Sequence, residues 1–507
     1  MPGKKEFGDY QTPKDFAEKI CRFLKEKKGV TPSTVLEPTC GIGNFLSSSL
    51  LFDAEKYYGA EIDPSYCAAC RDTIQDERVQ VIQQNFFELD LSAFRGDGLL
   101  VLGNPPWVNN STLSVLNSNN VPEKENFKKL KGLDALTGAS NFDICESIIL
   151  KLISAYQGTD TMVAMLCKTS VARNVFQELK RANISFRFCD MVEFDAQSVF
   201  HISASACLLL VQLTEQSEQP GYFSVYSLET PEKTREILFY QNGHLRCQGI
   251  AHAEDFEGNC CFTWRQGVKH DCAKVMELRD QNGQLLNGEK EIVAIEPDLV
   301  FPLIKSSMFK RPILDTFTKY VIVTQKKVRE DTAYLAHKLP LTWAYLQKHS
   351  AWFERRKSTI YRGAPRFSMF GVGEYTYAPY KVGISGFYKE PLFSLLCSQD
   401  HRPVMTDDTS YFICLPTYDT AYTAMLYLNA EPVQRFLKRI AFLDAKRPYT
   451  KKVLERLDFF KICEMVGLEA LQATEIRLGL QPYVTHEMSE QFSRLPEMAQ
   501  QQLRLDA

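Results

Sequence analysis

Asn104-Pro105-Pro106-Trp107 follow directly on Leu99-Leu100-Val101-Leu102-Gly103, so an apolar run of strand length ends in an amide, two prolines and a large aromatic. The prolines lack N–H groups and fix φ, which stops the strand and leaves a stiff turn at its carboxyl end. Such ends are where ligands sit in open α/β sheets. The turn offers the side-chain oxygen of Asn104, the backbone carbonyl of Pro105 and the flat ring of Trp107. Two acceptors beside a stacking surface suit a planar ligand carrying an NH2 group, such as a nucleobase or an amide.

Three earlier stretches have the same form. Thr34–Leu36 reads as a short strand, and Glu37-Pro38-Thr39-Cys40-Gly41-Ile42-Gly43-Asn44 turns it into a helix from Phe45. Gly41 and Gly43 let backbone approach a ligand closely, but an acid at Glu37 is out of place beside a phosphate and suits a cationic amine instead. A second strand ends in Glu61-Ile62-Asp63-Pro64, with Glu61 where dinucleotide-like folds keep a ribose-binding acid. A third, Val79-Gln80-Val81-Ile82-Gln83-Gln84, ends in Asn85-Phe86-Phe87, an amide and aromatics that could hold an adenine. The ordered series of four strand ends is far more specific than any member of it.

This series resembles the gamma class of S-adenosylmethionine-dependent N6-adenine DNA methyltransferases, the TaqI type. That class carries a Thr-Pro element, then Glu-Pro-x-Cys-x-x-Gly-x-Phe, Glu-Ile-Asp-Pro, Asp-Phe and Asn-Pro-Pro-Tyr, and ends in a target recognition domain. The likeness is specific over about 1–215 and looser to about 460. It implies an α/β fold: a Rossmann-like class I methyltransferase domain with a mostly parallel seven-stranded sheet, then a mixed α/β DNA target recognition domain. It implies S-adenosylmethionine as cofactor, with Thr12, Glu37, Thr39, Gly41 and Gly43 around its methionine part. Glu61 would bind the ribose hydroxyls, and Ile62 and Phe86 would enclose its adenine. Asn85 stands where the family has Asp, keeping an acceptor without the charge. Asn104 and Pro105 become the acceptors for the target amine. Trp107, in place of the usual Tyr or Phe, and Phe200 become the rings on either face of an extruded adenine.

The elements that must position these groups are legible in part. Thr12 before Pro13 and Asp15 reads as the N-cap of a helix with apolar residues Phe16, Ile20, Phe23 and Leu24 at helical spacing. Residues 108–140 are polar, and a long loop behind such a turn is expected to be a lid. A helix from Asn141-Phe142-Asp143 and strands in 161–169, 184–194 and 205–213 complete the sheet. His201, beside Phe200, is read as a loop residue, because this chemistry needs no strong base.

Hydrophobic content of 45% and charged content of 24% are those of a globular chain, and 507 residues allow several domains. The net charge of −3 conceals sixteen Lys/Arg against six Asp/Glu between 301 and 390, a window that also holds seventeen aromatics. A basic, aromatic-rich segment in an otherwise acidic chain suggests a nucleic-acid face, and double-stranded DNA is the expected partner. Expected domains are a catalytic domain at 1–230, a connector at 231–260, a recognition domain at 261–465 and a helical tail at 466–507. Cys67 and Cys70 form a CxxC with no second pair nearby, so no metal site is expected. The 15 cysteines, with no export signal or membrane-length apolar run, point to reduced thiols in a cytoplasm and no membrane partner.

The expected activity is site-specific N6-adenine methylation in restriction-modification or phage defence. Methyltransferases acting on a glutamine amide or on ribosomal RNA use the same turn; the long basic second domain speaks against the protein substrate. A cofactor-binding recognition subunit of a larger defence complex is a further reading, favoured only by Asn85. Because the Thr-Pro element begins at residue 12, any restriction endonuclease is expected on a separate chain.

Overall fold

The computed structural model describes residues 11–108, 143–230, 232–239, 242–247, 254–398, 400 and 402–505. The loop expected as a lid lies almost wholly outside them. Contacts divide the chain into two units, Met1–Gly249 and Ile250–Ala507.

The first unit is built on one sheet. Its strands are β1 (Thr34–Glu37), β2 (Lys56–Glu61), β3 (Val79–Gln83), β4 (Leu99–Gly103), β5 (Met162–Lys168), β6 (Phe186–Phe194), β7 (Ala206–Leu213), β8 (Tyr222–Ser227), β9 (Lys233–Phe239) and β10 (Leu245–Cys247). Their spatial order is β10-β9-β8-β6-β7-β5-β4-β1-β2-β3. From β3 to β5 the pairing is parallel, and β7 runs antiparallel between β5 and β6. Chain order reverses direction across β1 and β4, so the turns after these two strands flank the switch point where open α/β sheets bind ligands. Leu99, Leu100, Val101 and Leu102 are all buried, as expected of a central strand covered on both faces.

Helices α1 (Lys14–Lys28), α2 (Asn44–Ser49), α3 (Pro64–Thr73), α4 (Ile144–Tyr156), α5 (Thr169–Arg181) and the short α6 (Ala196–Phe200) belong to this unit. α1 begins one residue later than its sequence suggests: Pro13 is the N-cap and no side chain caps it. The Thr12 hydroxyl is committed to a long-range partner instead, described below. α3 follows the local rules, with Pro64 at its first position and Asp63 Oδ1 accepting from the N–H groups of Ser65 and Tyr66.

The seven expected strands are present, and three more extend the sheet. β8 pairs parallel with β6, β9 antiparallel with β8, and β10 antiparallel with β9. The last two fall in the stretch read as a connector. Asn242-Gly243, with Gly243 at φ +79°, is the turn signal for the β9–β10 pair.

The second unit holds two five-stranded sheets. One has the order β11 (Arg265–Gln266), β20 (Ser410–Leu415), β17 (Tyr380–Ser385), β18 (Phe393–Leu396), β15 (Ile313–Leu314). The other runs β13 (Gln284–Leu286), β12 (Glu277–Gln281), β16 (Lys319–Ile322), β14 (Val300–Ile304), β19 (Met405–Thr406). The helix Tyr418–Asn429 is buried along nearly its whole length in the largest core of this unit, with Trp264, Phe393 and Phe436. Helices Leu468–Arg477 and His486–Leu505, in the stretch read as a tail, join the same core through Leu471 and Phe492. Glu475 is buried and accepts from Tyr422 Oη and from the backbone N–H groups of Tyr483 and Val484, tying this segment down.

Candidate active site

The strand ends of the first unit converge on a few polar groups. Asn104, at the end of β4, donates from Nδ2 to Thr12 Oγ1 at 3.2 Å. Asn44, at the start of α2, donates to the Thr12 carbonyl at 2.8 Å, and Ile42 N–H donates to Gln11 Oε1 at 3.3 Å. The Thr-Pro element is thereby clamped between the turn after β1 and the turn after β4. Which way an amide points is assigned from its partners, and donation to Thr12 turns the Asn104 carbonyl oxygen to the opposite side.

Glu37 closes β1 and is buried, its Oε2 accepting from Leu46 N–H at the start of α2 at 2.8 Å. Glu61 closes β2; Oε2 accepts from Gly41 N–H at 2.8 Å and Oε1 from Asp63 N–H at 2.9 Å. No cationic side chain pairs with either carboxylate among the described residues. Burial therefore holds both carboxyls above the usual carboxylate range, Glu37 the more strongly, against the pull of those N–H donors. The buried Thr39 Oγ1 has no hydrogen-bond partner among the described residues. Gly41 and Gly43 have φ of +52° and +83°, and a Cβ would come within 2.5 Å of Gln11 Oε1 at the first and 2.3 Å of Cys70 Sγ at the second. A side chain at either position would be strained by the left-handed backbone.

After β2 and β3, Ile62 is 38% exposed whereas Phe86 is buried. Asn85 Oδ1 accepts from Phe87 N–H at 3.0 Å, so in this structure it caps the turn at Phe86–Glu88. The Lys151 ammonium, from α4, lies 5.3 Å from the centre of the Phe86 ring.

Pro105 and Trp107 are buried. Trp107 and Phe200 are brought together, but they touch each other: their rings meet edge to face with centroids 5.6 Å apart. A flat base between them needs about 7 Å, two contact distances of ~3.5 Å. The two-sided slot expected from the sequence is closed, and Phe200 also packs on Phe16 and Phe194. His201 takes φ +57° and ends α6.

Sequence reasoning missed a second support. Ile144 N–H donates to the Val108 carbonyl at 2.9 Å, fastening the start of α4 to the residue after Trp107. Asp143 caps that helix through Cys145 N–H and pairs with Lys168, at the end of β5, at 2.6 Å. The available signal was a lone charge closing an apolar strand. Of the CxxC pair, Cys67 Sγ donates to the Glu61 carbonyl at 3.5 Å, while Cys70 packs against Gly43.

Two acids without a cationic partner at neighbouring strand ends fit a ligand carrying an ammonium group and vicinal hydroxyls. Together with the strand order and the reversed β7, this defines a class I methyltransferase whose cofactor is S-adenosylmethionine. Comparison with known proteins narrows the class. The chain is 35% identical over 474 residues to the Type II methyltransferase M.NspV of a Nostoc species, covering 91% of this chain and 98% of that protein. It is 28% identical over 231 residues to the Type II methyltransferase M.CvrRI of Paramecium bursaria Chlorella virus XZ-6E, 45% of this chain and 54% of that one. Its fold matches MmeI, a Type IIL restriction-modification enzyme solved in complex with DNA, with a TM-score of 0.52 over 98% of this chain and 76% of the other, at 12% identity. No protein-family model matches. The chain belongs to the Type II methyltransferases.

Proposed function

We propose that this chain transfers a methyl group from S-adenosylmethionine to N6 of an adenine turned out of duplex DNA, as the modification enzyme of a restriction-modification or defence system. The first unit is the catalytic part and the second reads the target. The observation that carries the amine-methylation reading is the hydrogen bond from Asn104 Nδ2 to Thr12 Oγ1, and the choice of adenine rests on the resemblance. That bond fixes one of the two acceptors that an exocyclic amine requires.

The amine nitrogen of adenine is a weak nucleophile, because its lone pair is delocalised into the ring. When Asn104 Oδ1 and the Pro105 carbonyl each accept one of its hydrogens, the nitrogen is drawn toward tetrahedral geometry and regains a directed lone pair. Both acceptors stabilise the positive charge that then grows on nitrogen, until the surplus proton leaves to solvent. The bound cofactor supplies an electrophilic methyl group on a sulfonium. Glu37, Thr39, Gly41 and Gly43 would hold its amino-acid part, Glu61 its ribose hydroxyls, and Ile62, Asn85 and Phe86 its adenine. Trp107 and Phe200 would part to take the target base between them, and stacking at roughly 1–3 kcal/mol per contact offsets the few kcal/mol of extrusion.

Digestion of duplex DNA to nucleosides after incubation with isotopically labelled cofactor tests this reading. Label is expected in N6-methyldeoxyadenosine. Label in methylated cytosine, or in RNA alone, contradicts it.

A further inference from the structure

The second unit carries an exposed aromatic residue in an unusual setting. Phe387 lies in the turn joining β17 to β18 and is 36% exposed, while its backbone neighbours are tied down on several sides. Gly386 N–H donates to the Thr409 carbonyl at 2.9 Å. Tyr388 Oη donates to the Ser307 carbonyl at 2.9 Å, and Tyr449 Oη to the Lys389 carbonyl at 2.8 Å. A Cβ on Gly386 would come within 2.7 Å of the Thr409 carbonyl, so the loop is seated as closely as backbone allows. A turn held this firmly has no need of a large apolar side chain in water to stabilise it.

Two cations stand beside the ring. The Arg447 guanidinium lies 5.0 Å from its centre and the Lys446 ammonium 6.0 Å. Neither makes an ion pair among the described residues. Their backbone leads directly into Pro448 and Tyr449, which are buried. Other cations of this unit are committed to carboxylates: Arg456 to Glu257, Lys305 to Glu277, Lys438 to Glu390. Two uncommitted positive charges flanking a presented ring are complementary to a polyanion that also offers apolar edges. Duplex DNA has that chemistry, with phosphates for the cations and a sugar–base edge for the ring.

We propose that Phe387, Lys446 and Arg447 form a duplex-contact site, in which the two cations take neighbouring phosphates and the ring enters the groove as an apolar wedge. This rests on the reading of the chain as a DNA methyltransferase and adds the residues through which the second unit grips the helix.

The test is equilibrium binding of the full chain to a fluorescent duplex across a salt series, with thermal melting and cofactor binding measured on each variant. For the double substitution Lys446→Gln and Arg447→Gln, the slope of log K against log salt should fall by about 2, at roughly 0.9 per phosphate lost. Phe387→Ala should weaken binding about tenfold with the slope unchanged, and Phe387→Trp should restore it. Melting and cofactor binding should stay at wild-type values. Wild-type salt slope and affinity in these variants would overturn the site while leaving DNA methylation standing. A wild-type chain that binds no duplex would overturn both.

Discussion

Thr12 Oγ1 and Asn104 Nδ2, ninety-two residues apart in sequence, lie 3.2 Å apart at the carboxyl end of β4. The contact converts a flippable amide into one with a defined acceptor side. Removing the hydroxyl in Thr12→Val should leave DNA affinity near wild type and lower kcat about fivefold, the size of one orienting hydrogen bond of ~1 kcal/mol. Thr12→Ser should keep most of the rate. Steady-state methyl transfer on the two variants checks this, and a Thr12→Val enzyme at full rate would show that the hydroxyl has no orienting role.

The buried acids make cofactor binding depend on pH. Burial raises the Glu37 and Glu61 carboxyls above their ordinary value of 4.5, so the empty protein retains protons there that an unfolded chain would release. The folded state then binds more protons than the unfolded state, and stability falls as pH rises from 4.5 through the raised values. A ligand ammonium favours the ionised form, so cofactor affinity should rise over that same window with release of protons. Calorimetry in buffers of different ionisation enthalpy reads the protons released, and Glu37→Gln should flatten the dependence.

The contact between Trp107 and Phe200 has a kinetic consequence. If the rings part around an extruded base, Trp107→Ala should lower kcat/KM on fully paired duplex by about tenfold to a hundredfold. The loss should be smaller when the target adenine is mismatched, because extrusion is then easier. Equal losses on paired and mismatched duplex would place the tryptophan outside base capture.

Arg456 and Glu257 form a two-point ion pair in the second unit, at 2.7 and 2.9 Å, with side chains 10% and 5% exposed. Glu257→Ala leaves a buried guanidinium without its carboxylate and should destabilise that unit by about 3–5 kcal/mol. Urea unfolding followed through the second unit measures it. Replacing both residues by methionine should cost much less.

The catalytic half of the molecule was legible because its chemistry sits at strand ends, where prolines, glycines and acids interrupt apolar runs. What stayed hidden depended on contacts between distant residues. Thr12 satisfies the local rule for an N-cap, yet its hydroxyl is held by Asn104, a choice no local pattern encodes. β10 is only three residues long, so Asn242-Gly243 was the one local hint of a hairpin. The helices after residue 465 looked peripheral because their amphipathic pattern does not say which core they cover; Leu471 and Phe492 answer that in three dimensions. The ring pair was expected on either face of a bound base; that Trp107 and Phe200 meet edge to face is a contact between distant residues that no local pattern encodes.

The most direct test of the account is the Asn104→Ala variant assayed beside wild type, with labelled cofactor and duplex DNA and the products resolved as nucleosides. The account predicts that the variant binds cofactor and duplex as wild type does, while N6-methyldeoxyadenosine formation falls by at least about a hundredfold. An Asn104→Ala enzyme that methylates adenine at an undiminished rate would contradict it.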